Sequence, residues 1–302
     1  MSEELFEFIE AHRPIIDEAL AEQLPLSSQR GAEQLNSALE YAVFPGGKRL
    51  RPVLTLIATA LVGGSLDRAM PAACAVEFLH TSSLILDDLP AMDDADLRRN
   101  RAALHRVYGE DIATLAALAL LNRAYVLFAQ AGGAHLLSEA ARAIGEDGMI
   151  GGQAADLESR TRGGSVEMLA SRSLKTTALM RLTLSAGAIA CEASDQDRVA
   201  LAEFGECLGA AYQIRDDLLD KLGDSDLAGK TVGQDERHLR HSFTAALGLE
   251  GASHMAMSLI EQAKSSVAER FGDKHEARLL IDAADIIAGG VDRLKIMSHS
   301  MV

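Results

Sequence analysis

"AVEFLHTSSLILDDLPAMDDADLRR" occupies residues 75–99, and its reading decides the fold. From Ala75 to Leu86 there is no Gly or Pro, and apolar or small side chains fall on every side of the helical wheel. Such a stretch spells a central helix, shut in by its neighbours. Asp87 and Asp88 close it, and Asp93, Asp94 and Asp96 follow after Pro90. Carboxylates oppose the macrodipole at a helix C-terminus, and uncompensated they repel one another. A calcium loop does not account for them, since the EF-hand spacing, its Gly and its final Glu are missing. Clustered carboxylate oxygens suit Mg²⁺, which binds through one or two carboxylates plus a ligand's phosphates.

Outward from this stretch, helical periodicity recurs along the chain. Leu5, Phe8 and Ile9, then Ile15, Ile16, Ala19 and Leu20, make two short apolar faces divided by Pro14. Leu35, Leu39, Ala42 and Val43 make another. Longer helices are predicted over 52–62, 71–87, 112–130, 134–144, 166–190, 196–221, 252–270 and 275–296. Breaks fall at 44–47, 62–65, 131–133, 161–165, 222–233 and 249–253. No repeat or linker separates two compositions. The reading is all-α, a single domain over 1–302, most irregular between 222 and 240.

Composition agrees. The 302 residues are 48% hydrophobic and 24% charged, with 4% aromatics and no Trp, so Leu, Ala, Ile, Val and Met must fill the core. A formal charge of −15 argues against nucleic acid or an anionic membrane as partner. Cys74, Cys191 and Cys207 are scattered, as reduced thiols of a cytoplasmic protein are. Apolar stretches such as 54–62 and 115–121 fall short of a membrane span, and the acidic N-terminus is unlike a secretion or transit signal.

A second acidic cluster lies in "RDDLLDKL" (215–222). Asp216 and Asp220 are one helical turn apart with Asp217 beside them, while Tyr212, Leu218, Leu219 and Leu222 supply apolar faces. Taken alone, such a pattern is more often a solvated acidic face. The basic residues need local reasons too. "GGKRLRP" (46–52) sets Lys48, Arg49 and Arg51 after a Gly pair, an arrangement suited to clamping an anion. Arg98, Arg99 and Arg101 follow the first acidic cluster; Lys175 and Lys230 sit in "LKTTAL" and "AGKTVG". "GGK" lacks the spacing of a nucleotide P-loop. His80, alone on an apolar helix, is by itself more often a hydrogen-bonded core residue.

Together these stretches resemble the trans-prenyl diphosphate synthases, the farnesyl and geranylgeranyl diphosphate synthase family. The resemblance runs from about residue 40 to about 250, with six motifs in the family's order. They are "GGKRLRP" (46–52), "FLHTSSLILDDLPAMDDADLRR" (78–99), "GMIGGQAADL" (148–157), "KTTAL" (175–179), "YQIRDDLLDKLGD" (212–224) and "GKTVGQD" (229–235). It implies an isoprenoid-synthase-type helical bundle around a central apolar pocket. Asp87, Asp88 and Asp93 would face Asp216, Asp217 and Asp220 there, with three Mg²⁺ bridging them to an allylic diphosphate. It further implies Arg98 as a ligand of that diphosphate, with Lys175, Thr176 and Gln213 as catalytic residues around the allylic group beside Lys230. Lys48, Arg51, His80 and Arg99 are implied for isopentenyl diphosphate.

The implied chemistry is a prenyl transfer. Ionisation of an allylic diphosphate (dimethylallyl, geranyl or farnesyl) is followed by attack of isopentenyl diphosphate at C1 and loss of a proton. Product length turns on Ser82 and Ser83, five and four positions before Asp87. Aromatic residues there floor the pocket in farnesyl synthases, so two serines point to geranylgeranyl diphosphate, with farnesyl diphosphate the alternative. The competing placement has both serines facing a neighbouring helix and a floor supplied near Leu118. A terpene cyclase would leave Lys48, Arg51 and His80 unexplained; a non-catalytic partner subunit of a synthase would not need intact acidic motifs. The resemblance also implies a homodimer. Departures from the family pattern are Asn100 and Ala102 for Gly and Pro, Ala117 and Leu118 for Gly-Asp, Leu86 for His, and Gln234 for Lys. Of these, Gln234 removes a charge from the allylic diphosphate's surroundings.

Overall fold

Leu66–Asp88 (α4) runs through the middle of the molecule because no side of it favours water. Its buried residues, from Ala69 to Asp88, occupy every face. A computed structural model describes residues 2–162, 166–222 and 242–300. Around α4 stand α1 (Glu3–Gln23), α2 (Glu33–Val43), α3 (Leu50–Leu61), α5 (Leu104–Tyr108) and α6 (Glu110–Ile144). A hairpin of β1 (Leu97–Arg98) and β2 (Arg101–Ala102) follows α4. Then come α7 (Met149–Arg162), α8 (Val166–Ala190), α9 (Asp195–Leu222), α10 (Phe243–Phe271) and α11 (His275–Ser300).

The packing is helix on helix. α4 lies along α6 and also touches α3 and α8; α8 lies along α9 and reaches α3, α6 and α7. α4 and α8 are thus the inner pair; α4 carries Asp87 and Asp88 at its C-terminal end, and α8 carries Lys175 and Thr176 within its length. One continuous core joins α1, α3, α4, α6, α8 and α9 around Phe78, Phe128 and Phe204. A smaller apolar cluster of Leu169, Ile214, Leu218, Leu219 and Phe243 seats α9 on α10.

Several predicted bounds shift for physical reasons. Pro14 does not divide α1. The helix gives up one backbone hydrogen bond there, and Leu5, Ile16 and Leu20, buried on either side of it, carry it through. The break expected at 131–133 is present: within α6 the stretches 112–130 and 134–144 are two helical segments, divided at Gly132 and Gly133, whose backbone angles are non-helical. In α10 the break is at Gly248, with φ +70°, and residues 249–253 are already helical. α7 went unread because its glycines give it low helix propensity.

The expectation that no segment reaches membrane-span length is also corrected. α4 and the segment Glu110–Glu158 are long and apolar enough by length and composition, since apolar stretches join across single polar residues. In α4 that window is 67% buried inside the bundle, which is the pattern of a core helix. In the α6 segment the figure is 39%. The outer face of α6 there shows Leu115, Leu118 and Val126 to solvent, so this helix is less central than its sequence suggests.

Candidate active site

Beyond α4 the chain folds back on the helix end. The Asp93 N–H donates to the Asp87 carbonyl at 2.9 Å, and the Ala95 N–H to the Asp88 carbonyl at 3.1 Å. These bonds occupy carbonyls that a helix C-terminus leaves open, and they return Asp93 to the neighbourhood of Asp87. The Asp87 carboxylate pairs with Lys175 of α8. Burial pushes its pKa up, Lys175 pulls it down, Asp93 raises it again, and the net shift is upward. Asp88 is buried and faces Arg98, whose Nε lies 3.1 Å from each carboxylate oxygen. Burial works against the Arg98 charge, yet the bond to Asp88 and the field of Asp88, Asp87 and Asp93 raise its pKa.

The hairpin explains the departure at Asn100. Arg99 and Asn100 take φ +53° and +59°, the two positive values of a tight hairpin turn. Asn tolerates this left-handed conformation better than most other side chains do, so it can stand at the position where the family pattern implies Gly. Arg98 stands opposite Arg101 in the register. The two like charges are accommodated because Arg98 turns to Asp88, while Arg101 donates to the Phe44 carbonyl at 2.9 Å and lies 3.8 Å from the centre of the Tyr41 ring.

The second acidic cluster occupies the end of α9. Asp217 and Asp220 are buried and Asp216 half-buried. Asp217 accepts from the Phe243 N–H at 2.9 Å and from the Gln213 amide at 3.1 Å. It thereby satisfies one of the open N–H groups at the start of α10. The Gln213 carbonyl accepts from the Thr176 hydroxyl at 3.1 Å. Of two adjacent residues on α8, Lys175 therefore touches the first acidic cluster and Thr176 reaches the second through Gln213. α8 and α9 approach this closely because of Gly209, where a Cβ would lie 2.8 Å from Thr177 Cα.

Gln153 is a site residue that sequence reasoning missed. Its carbonyl accepts from Lys175 Nζ at 2.8 Å, and it lies in "GMIGGQAADL", a stretch matched as a motif without this residue being singled out. Asp88 and Asp217, expected among the metal ligands, each have a firm protein partner. No group of three or more His, Cys, Asp or Glu that could hold one ion occurs among the described residues. Each wall can offer one or two carboxylates, and Mg²⁺ fits that donor set when phosphate and water complete its shell.

Next to the carboxylates stands a group of cations short of anions. Arg51 Nη1 lies 3.2 Å from His80 Nε2, and Arg51 Nε is buried without a hydrogen-bond partner. Burial lowers the Arg51 pKa. It also holds His80 well below 6.5, helped by the fields of Arg51, Arg99, Arg98 and Lys175, so the imidazole is neutral at pH 7. Arg99, likewise lowered by burial, lies in the same field. Lys48 is exposed. Arg49 does not join this group; it is fully buried and turned the other way. Ser82 donates to the Ala117 carbonyl of α6 at 2.8 Å and is buried there, and Ser83, half-buried, donates to the His80 carbonyl. Leu118 points outward, 52% exposed. Lys230 and Gln234 lie outside the described residues.

Comparison with known proteins gives this arrangement relatives. The family model described as polyprenyl synthetase matches residues 32–278. The chain is 40% identical over 266 residues to the chloroplastic geranylgeranyl pyrophosphate synthase of Capsicum annuum, covering 84% of this chain and 71% of that one. It is 37% identical over 265 residues to the farnesyl diphosphate synthase of Bacillus subtilis, covering 85% and 88%. Its fold is similar to the crystal structure of an FPP/GFPP synthase from Zymomonas mobilis. The TM-score is 0.83 at 33% identity, over 95% of this chain and all of that one.

Proposed function

The chain belongs to the polyprenyl synthetase family and is a prenyltransferase, and we propose that it joins isopentenyl diphosphate to an allylic diphosphate where α4, α8 and α9 meet. The observation that carries this reading is Arg51. A buried guanidinium nitrogen without a partner, beside a neutral imidazole, is costly unless an anion completes it. An anion there would be separate from whatever the carboxylate walls bind, which supports a reading with two diphosphate sites.

Arg51, Arg99 and His80, with Lys48 at the surface, take the diphosphate of isopentenyl diphosphate and hold its double bond towards the allylic carbon. Lys175 and Arg98 take the allylic diphosphate, which competes with Asp87 for the first and with Asp88 for the second. Thr176 and Gln213 keep the second wall in register with the first. Asp87 and Asp93 on one wall, and Asp216 and Asp220 on the other, would hold Mg²⁺, three ions per site. Asp88 and Asp217 contribute chiefly by fixing Arg98 and the start of α10. When bound, Mg²⁺ neutralises charge developing on the leaving diphosphate. The C1–O bond breaks, C1 bonds to isopentenyl diphosphate, and the proton lost goes to the departing diphosphate.

The proposed product is the twenty-carbon geranylgeranyl diphosphate. Ser83 lies three positions after His80 and four before Asp87, hence on the same face of α4. A turn rises about 5.4 Å, comparable to one isoprene unit, and a serine there leaves room for a longer tail. Chromatography of dephosphorylated products tests this, with farnesyl and isopentenyl diphosphates as substrates. Wild type extends farnesyl diphosphate by one unit and Ser83→Phe does not. Refusal by wild type makes the chain a farnesyl synthase.

The exposed apolar stripe of Leu115, Leu118 and Val126 on α6 supports a homodimer, which sedimentation of wild type and Leu118→Asp tests. Three unpaired cysteines support a cytoplasmic location, Cys74 among them buried and its pKa pushed up to about 12. Localisation of a tagged full-length chain in its source cells checks it.

A further inference from the structure

Arg49 is the largest fully buried side chain among the described residues, and the proposed reaction does not use it. Its guanidinium is nonetheless bound on three sides. Nε donates to Asp17 Oδ1 at 2.7 Å, Nη1 to Glu77 Oε1 at 2.7 Å, and Nη2 to the Val43 carbonyl at 2.8 Å. Burying such a group gains little stability over an apolar replacement. It fixes direction well, however, because the guanidinium is a rigid fork.

What it fixes is the backbone that presents Arg51. Arg49 has φ +52° and ψ +29°, a left-handed conformation that a side chain adopts only when its surroundings impose it. That turn starts α3 and places Lys48 and Arg51 on either side of the anchored residue. Glu77 lies three residues before His80 on α4, so the same anchor ties the loop to the helical turn that carries the imidazole. The 3.2 Å approach of Arg51 to His80 is made between these two tied segments. Gly46 makes room for the device. At its φ of +73°, a Cβ would lie 2.2 Å from Arg49 Nη2.

The third tie comes from α1. Asp17 lies outside the matched region, which begins at residue 32, and its side chain is 32% exposed while Arg49 and Glu77 are shut in. We propose that Arg49, gripped by Glu77 and by Asp17 of the N-terminal helix, is a positioning residue for the isopentenyl diphosphate site. The inference rests on the prenyltransferase reading of Arg51 and His80. It adds that α1, to which the proposed reaction assigns no substrate contact, sets affinity for one of the two substrates.

The test is steady-state kinetics on the full chain, varying each substrate at saturating levels of the other. Asp17→Asn, at a partly exposed position, keeps the helical circular dichroism. It raises KM for isopentenyl diphosphate about tenfold while kcat and the KM for farnesyl diphosphate stay within about twofold. Asp17→Glu restores most of the loss, because a carboxylate on a longer arm still reaches Nε. Gly46→Ala, which displaces Arg49 from the opposite side, gives the same split. A Tm decrease with both KM values unchanged, or an equal rise in both, overturns the proposal and leaves a merely structural triad. An inactive wild type defeats the prenyltransferase reading itself; an active wild type with indifferent variants defeats this inference alone.

Discussion

On the α4 wall, Asp87 and Asp88 each face a cation, Lys175 and Arg98. On the α9 wall, Asp217 also serves a structural end, accepting from the Phe243 N–H at 2.9 Å and from the Gln213 amide at 3.1 Å. The difference separates two duties that the sequence writes with the same letter. The first wall stores its cations on carboxylates, where an incoming diphosphate can claim them. In the second, an acidic residue holds the start of α10 and the α8–α9 contact in place.

The largest effect follows from removing one carboxylate on each wall. Asp87→Ala lowers turnover by about 10²–10³ or more, with circular dichroism and Tm close to wild type, because Lys175 still has Gln153 to bond. Asp217→Ala also loses activity, and in addition costs about 1–3 kcal/mol of stability, since an N–H and an amide lose their acceptor. Kinetics and thermal unfolding on both variants distinguish these outcomes. Equal Tm changes would break the comparison. A smaller effect is expected at the link between the walls. Thr176→Val, which removes the bond to Gln213, lowers kcat by about fivefold, the worth of one neutral hydrogen bond.

His80 sharpens the contrast through pH. Its pKa in the folded chain lies well below 6.5, so the folded state resists taking up the proton that the unfolded state accepts. Stability contributed by the neutral ring is intact above pH 6.5 and is lost as pH falls from there towards the folded value. Tm measured between pH 7 and about pH 5 therefore falls more steeply for wild type than for His80→Gln. The smallest effect belongs to Gln234. Restoring the family's charge with Gln234→Lys lowers the allylic KM and leaves that of isopentenyl diphosphate little changed.

What the sequence made legible follows from periodicity and spacing. α8 begins and ends where its pattern does, at Val166 and Ala190, and α9 differs from its expected span by a residue at each end. Asp87 and Asp93 meet because the chain folds back after Pro90, which the clustering of charge suggested. Arg49 was misjudged with Lys48 and Arg51 because three neighbouring basic residues look alike in a string. Only the left-handed turn at Arg49 shows that the middle one points inward. Leu118 was weighed as a pocket floor because an apolar run carries no mark of which face meets solvent. Gln153 stayed hidden because an amide on a glycine-rich stretch announces no chemistry until Lys175 is seen to donate to it.

A prenyl transfer at this site requires two substrates bound side by side. Diphosphate release by the purified chain can be followed with farnesyl diphosphate alone, isopentenyl diphosphate alone, and both, each with Mg²⁺ and with chelator. Release only when both substrates and Mg²⁺ are present, with a product five carbons longer, is the predicted result. Steady release from farnesyl diphosphate alone, or none under any condition, would contradict it.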